Sequence, residues 1–377
     1  MKKKAIGVIV GAMTLTLSFS ACGGSDSENV QSVDFNTITE NTTETTTTEE
    51  TTTTEEVVEE EVVEEESHEG MYRSELTNEW ISEELENQRP IAVMVDNEKT
   101  ALPHYGLTEA DVVYEMMNST ANNRITRFMA IVKDWGAIEQ FGSIRSTRPT
   151  NVILAMEWNA VLCHDGGPFY INEYLAYDES NNFSGTFSRV NNGKSREFTE
   201  YICAGDLETN FANSSYTTDY NEYYQGEHFK FSDEVFDLSD THTSTDKAKT
   251  IELPFPHNSS TLKWNADTTT YDYYEYGEIH TDPQHDDAVL TFENVILQCC
   301  NFAEYDENGY LVYYVVDSGE GYYITEGKAI EITWTKSDIT SKTVYFDKST
   351  GKQLEMNTGK TYIAIVPSDS WDDVVIE

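Results

Sequence analysis

The chain has 377 residues, enough for two domains, and its 68 acidic against 24 basic side chains leave a formal charge of −44. That excess argues against a nucleic-acid partner, because a polyphosphate would be repelled and no basic stripe runs through the sequence. It also disfavours direct adsorption to anionic lipid heads, while 23 Tyr, 16 Phe and 6 Trp supply the bulk of a real hydrophobic core.

The first elements are signals rather than structure. Lys2 to Lys4 precede an apolar run from Ala5 to Phe19, then the small pair Ser20-Ala21 and Cys22. This is the order of a bacterial secretion signal with a lipobox, Phe19 standing where Leu is usual. The run is shorter than the roughly 20 apolar residues a membrane span needs. Residues 1–21 therefore read as a signal peptide and Cys22 as the attachment point of a diacylglycerol thioether. That tethers the chain to the membrane, on the outer face of the bacterial cytoplasmic membrane; an ordinary signal peptide or an uncleaved anchor is the alternative. Residues 22–70 read as the lipidated Cys followed by a disordered stalk. From 23 to 70 there are sixteen acids and no Lys or Arg, and Thr45 to Glu66 is almost only Thr, Glu and Val. Such a stretch cannot bury enough apolar surface to offset ordering entropy, and its like charges extend it.

Folded sequence is expected from about Tyr72. Arg89 to Asp96, Ala110 to Met117, Ile125 to Val132 and Ala160 to His164 read as strands, with a short one ending at Ser143 to Arg145. Pro149 to Trp158 reads as a helix with Pro in its first turn, and Tyr170 to Tyr177 as another. From about Lys249 aromatic and β-branched runs alternate with turns such as Tyr305 to Gly309, Glu326-Gly327 and Asp347 to Gly351. The runs are Asn294 to Phe302, Val312 to Val316, Tyr322 to Thr325, Ala329 to Thr335, Thr343 to Phe346 and Tyr362 to Val366. The expected class is α+β: an N-terminal mixed α/β layer domain over 71–245, followed by a β-rich antiparallel C-terminal domain over 246–377.

Cys163, Cys203, Cys299 and Cys300 lack zinc-type spacing. An extracytoplasmic compartment permits a Cys163–Cys203 bridge, but the apolar runs around Cys163 and Cys299 favour four buried thiols.

No GxSxG elbow, HExxH helix, P-loop or dinucleotide fingerprint is present, and no cofactor or metal is expected. Asp306 to Gly309 lacks the twelve-residue calcium pattern and reads as a hairpin turn. The chemistry-bearing patch is Tyr114-Glu115, Arg124 to Arg127, Arg145 to Arg148 and His164 to Gly167, each near a predicted strand end. In so acidic a chain, Arg127, Arg145 and Arg148 stand out as forks for carboxylate or phosphate. Glu115 and His164 could supply acid and base, and Ser146 a nucleophile or phosphate donor. Gly166 and Gly167 would let a ligand approach the backbone. The competing reading pairs the arginines internally with Glu115, Asp111 and Asp134. A second cluster, His280, Asp282, His285, Asp286 and Asp287, has metal-ligand chemistry, against the plainer reading of a solvated turn.

Several of these stretches together resemble a known family. Arg89 to Asn97, Gly106 to Glu115, Ile125 to Phe128, Gly142 to Arg148 and His164 to Gly167 are similar to the YerB-like lipoproteins. The likeness continues through Gly277, His280 and Asp282, then Asn294 to Gln298, Ser318 to Gly321, Trp334 to Lys336 and Gly359 to Pro367. It spans most of residues 72–367. The resemblance implies a lipid-anchored envelope protein with a mixed domain and a β-rich domain, and it implies no activity. The chain departs from the family at Asn123 and Arg124, at Ser143, at Thr199 to Tyr201 and at Tyr273. The expected function is a binding or assembly protein of the cell envelope, its partner a cell-wall polymer or an envelope protein. The alternative is a hydrolase or transferase acting on an anionic wall glycan or phosphate polymer.

Overall fold

The computed structural model describes residues 67–242 and 246–377; the expected signal peptide, Cys22 and the acidic stalk as far as residue 66 lie outside them. The apolar runs of the first half become strands buried on both faces. Ile91–Asp96 (β1), Val112–Met117 (β2) and Thr126–Val132 (β3) have every residue buried, as strands covered on both faces do, and that burial includes the charged Asp96, Glu115 and Arg127. Pro149–Glu157 (α1) starts with Pro in its first turn, where a missing N–H costs nothing. Its start is fixed by the Arg148 N–H, which donates to Asn151 Oδ1 at 3.0 Å. Val161–His164 (β4) and Asn181–Ser184 (β5) follow. The helix expected over 170–177 is shorter, a 3-10 turn at Phe169–Ile171 running into a helix at Asn172–Leu175. Near 143–145 the strand ends earlier than expected, at Gln140–Gly142, and Ile144 makes a lone bridge to Val95.

The second half is built from short strands: Asp246–Lys247 (β6), Thr250–Glu252 (β7), Thr261–Asn265 (β8), Thr270–Glu275 (β9) and Glu278–Ile279 (β10). Then come Asn294–Cys300 (β11), Ser318–Thr325 (β12), Lys328–Thr335 (β13), Val344–Asp347 (β14), Thr361–Pro367 (β15) and Val375–Ile376 (β16). Glu326 and Gly327, with φ of 49° and 69°, turn β12 into β13. Two consecutive positive φ values match the twist of the flanking strands. Asp306 to Gly309 is likewise a hairpin turn, Asp306 Oδ1 accepting from the N–H groups of Asn308 and Tyr310.

One eleven-stranded sheet runs in the order β6–β13–β12–β11–β15–β2–β3–β1–β4–β5, with β14 also paired to β13. β15 lies between β11 and β2 and is parallel to both, so residues from both halves of the chain build one sheet. A strand buried at all seven positions suits that central place. A six-stranded sheet, β10–β9–β8–β7–β16 with Thr291–Phe292 on β9, covers one face. The period of two sorts the side chains. Ile91, Val93, Val113, Phe128 and Tyr362 join Leu262, Tyr271 and Tyr273 of the second sheet in one core. Ala92, Met94, Tyr114, Met129 and Ile363 join Val152, Ile153 and Met156 of α1 in the other. The fold is α+β and strand-rich. Cys163, Cys203, Cys299 and Cys300 are free thiols, with Cys163 and Cys300 buried.

Candidate functional site

Strand alternation divides the expected patch between the two faces of the central sheet. Met116 pairs with Arg127 and Glu115 with Phe128 across β2 and β3. Glu115 therefore shares the face of Phe128, toward the second sheet, and Arg127 shares the face of Met129, toward α1. Arg127, Arg145, Ser146, Arg148, His164, Gly166 and Gly167 gather on the α1 side. Glu115, His280 and Asp282 lie on the other.

On the α1 side, two guanidiniums converge on Ser146. Arg127 Nη1 donates to Ser146 O at 2.6 Å, Ser146 Oγ at 2.9 Å and Asn118 Oδ1 at 3.3 Å. Arg148 Nη1 donates to Ser146 Oγ at 3.3 Å and Thr147 O at 2.9 Å, and its guanidinium lies 3.8 Å from the Tyr310 ring centre. Arg127 and Arg148 are 6% and 4% exposed. Among the described residues neither has a carboxylate within ion-pair distance, and Nε of each is buried without a partner. Burial pulls Arg127 down to about 9, with Arg148 and Arg145 adding to that pull against Asp96; it stays charged at neutral pH. Burial likewise lowers Arg148.

Arg145 is different, since it is ion-paired. Its Nε lies 2.7 Å from Asp96 Oδ2 and its Nη2 3.1 Å from Glu197 Oε2. The internal partners are thus Asp96 and Glu197, and not the Glu115, Asp111 or Asp134 suggested by proximity in sequence. Arg124 points elsewhere, forming a fork with Asp369 at 2.8 and 2.6 Å beside a groove lined by Pro254, Phe255 and Pro256.

The His164 turn supports this cluster from behind. Asn182 Nδ2 donates to His164 Nε2 at 3.0 Å, so Nδ1 carries the proton and donates to Gly166 O at 2.8 Å. Gly166 O also accepts from the Thr147 N–H, and Arg145 O accepts from the Asp165 N–H. A Cβ at Gly167 would meet Ile171 Cδ1 at 2.5 Å and Thr147 O at 3.1 Å, so the space beside this glycine is filled by the protein's own Ile171 and Thr147. Burial lowers His164 and keeps it neutral. Both its nitrogens are engaged away from Ser146 Oγ.

Glu115 is fully buried in a cage of neutral donors. Oε1 accepts from Asn97, Thr126, Asn258 and Ser260 at 2.7–3.0 Å, and Oε2 from the hydroxyls of Tyr273, at 2.9 Å, and Tyr362. Tyr273, one of the family departures, is thus a direct partner of Glu115. Nearby, His104, Glu275 and His280 form a buried triad. The expected His280-to-Asp287 cluster does not assemble as one site. Asp282 accepts from Thr108 Oγ1 and from the Gln284 N–H, His285 pairs with Glu109 at 2.7 Å, and Asp286 and Asp287 sit in a left-handed turn.

Sequence reading missed Asp96, Glu197, Tyr310, His104 and Glu275. For Glu275 a signal existed, because it shares the inward phase of Tyr271 and Tyr273 in an alternating strand.

These features define a strand-rich α+β protein with a buried cationic cluster in an acidic body. Residues 76–217 match the N-terminal domain, and residues 251–363 the C-terminal domain, of the family described as "Protein of unknown function (DUF3048)". The chain belongs to that family. It is 25% identical over 307 residues to the Bacillus subtilis (strain 168) protein named "Putative lipoprotein YerB", covering 78% of this chain and 86% of that protein. The crystal structure of YerB from Bacillus subtilis superposes with a TM-score of 0.69 at 21% identity, over 81% of this chain and 99% of that one.

Proposed function

We propose that this chain is a lipid-anchored binding protein of the bacterial envelope that takes an anionic group of a wall polymer at Arg127, Ser146 and Arg148. The observation that carries this reading is the pair of buried guanidiniums without a carboxylate partner among the described residues, in a chain with 44 excess negative charges. Leaving a buried guanidinium without an anion is costly when acids are so abundant, and guanidinium forks match phosphate and carboxylate oxygens. Ser146 is half-buried and Gly166 and Gly167 are exposed, so this side of the cluster faces solvent. Binding is favoured over acyl or phosphoryl transfer because Ser146 Oγ faces two cations and no base, with His164 turned away and Glu115 on the opposite face.

The test is binding of a phosphate-bearing wall polymer to the full chain. Arg148→Ala or Arg127→Gln should remove one charge-assisted contact, about 1.5–3 kcal/mol, or roughly ten- to hundred-fold in affinity. Unchanged affinity in both variants, with folding intact, would remove this reading.

Anchoring is tested separately. The lipobox and the lipoprotein relative support a diacylglycerol on Cys22. Cys22→Ser should release the protein or leave it unprocessed, whereas an unmodified Cys22 in mature membrane-bound protein, read by mass spectrometry, would exclude the anchor.

A further inference from the structure

The buried triad on the opposite face has the donor set and spacing of a metal site. His104 comes from the loop after β1, Glu275 from the end of β9 and His280 from just beyond β10. They are 0%, 2% and 4% exposed. His104 Nδ1 lies 2.9 Å from His280 Nε2 and 3.9 Å from Glu275 Oε1, and His280 Nε2 lies 3.6 Å from the same oxygen. The point equidistant from the corners of that triangle is about 2.0 Å from each, the length of zinc bonds to imidazole nitrogen and carboxylate oxygen.

The protonation pattern points the same way. His104 Nε2 lies 2.6 Å from the Asp96 carbonyl. A carbonyl only accepts, so Nε2 carries the proton and the Nδ1 lone pair accepts from His280 Nε2–H at 2.9 Å; a cation at the centre would replace that single proton and take both nitrogen lone pairs. A histidine that ligates a metal commonly donates its other ring N–H to a backbone carbonyl, which fixes its tautomer and ring orientation. Both oxygens of Glu275 are buried without a hydrogen-bond donor, although Glu115 alongside has six. An unpartnered carboxylate at this depth is a standing cost, and a cation between it and the two imidazoles removes that cost.

We propose that His104, Glu275 and His280 bind one zinc-class divalent ion as a structural staple. The ion would tie the β1 loop to the β9–β10 hairpin, segments some 170 residues apart in sequence whose ordering a cross-link favours. Asp282, the neighbouring acid, is already engaged with Thr108 and Gln284 and is not a ligand.

The experiment uses the full chain, unfolded with chelator and refolded with and without zinc, then dialysed. Wild type refolded with zinc should retain about one ion per chain, as a three-ligand site would, and should unfold at a higher temperature than the chelated form. Cobalt in place of zinc should give a visible d–d spectrum. Glu275→Gln, nearly isosteric, and His280→Gln should each lose the ion and the thermal gain. That loss should exceed the 10–100-fold that changes outside the coordination shell cause. Folded wild type that retains no zinc and gains no stability from it would overturn the proposal. So would equal retention in both variants, since the ion would then sit elsewhere, for example on other acids. If either variant fails to refold, wild-type stoichiometry and the cobalt spectrum still decide the matter.

Discussion

Glu115→Ala should lower the stability of the folded unit by roughly 3–5 kcal/mol, among the largest losses a single substitution causes. The carboxylate is the shared acceptor for Asn97 and Thr126 in the first half of the chain and for Asn258, Ser260, Tyr273 and Tyr362 in the second. Removing it takes an acceptor from six buried donors, of which Asn97, Asn258 and Tyr273 keep a second partner, and opens a cavity between the two sheets. Each unsatisfied buried donor costs about 1–3 kcal/mol, and the total is held down because Ser260 already bonds Asn258 and Tyr273 and can partly repair the loss. Glu115→Gln keeps the shape and one acceptor oxygen, so it should cost less. The difference in denaturant midpoint between the two variants measures how much of the effect is the cavity and the lost acceptors. An Ala variant that unfolds at the wild-type midpoint would show that this network contributes nothing net.

That network explains why the fold was more legible in the sequence than the site. Strands such as β1, β2 and β15 are written as mostly apolar runs, β2 interrupted by Glu115 and β1 ending in Asp96, and Pro149 and Glu326-Gly327 mark their helix start and hairpin through local backbone chemistry. These are local rules, and each acts over a few residues. The insertion of β15 between β11 and β2 is not local. It depends on two long-range parallel pairings, which no periodicity encodes.

The site failed to read for the same reason. Glu115 and Arg127 look like neighbours because both sit near strand ends. Their separation onto opposite faces follows from a register in which Glu115 meets Phe128. Shifting that pairing by one residue would have set Glu115 opposite Arg127 on one shared face. The residues around Ser146 were legible because Arg145, Ser146 and Arg148 are adjacent in sequence, with Arg127 supplied by β3. Asp96 and Tyr310 complete the cluster from distant segments and carry no motif. His104 belongs to no spacing pattern with Glu275 and His280, so that triad exists only in three dimensions.

Lys336→Met should be comparably severe and should invert a pH dependence. Lys336 Nζ lies 3.0 Å from Glu157 Oε2, with both side chains fully buried. Glu157 also accepts from the Thr343 N–H at 3.0 Å and its hydroxyl at 2.9 Å. Burial alone would push Glu157 up, but Lys336, His228 and the Thr343 bonds together hold it below its ordinary value of 4.5. A depressed folded value means the contribution is fully present above about pH 4.5 and is lost as pH falls through the folded value. Replacing Lys336 by Met leaves a buried carboxylate without its cation, at a cost of about 3–5 kcal/mol near neutral pH. Burial then dominates and Glu157 is pushed above its unfolded value. Protonation now relieves the folded state, so the deficit against wild type should shrink as the pH is lowered toward 4.5. The double variant Lys336→Met with Glu157→Leu should recover much of the stability, since an apolar pair of similar volume avoids both desolvation costs. Chemical denaturation of the three proteins across that pH range checks the sign. A deficit that stays constant on acidification would mean that Glu157 is held down by Thr343 and its other neighbours rather than by Lys336.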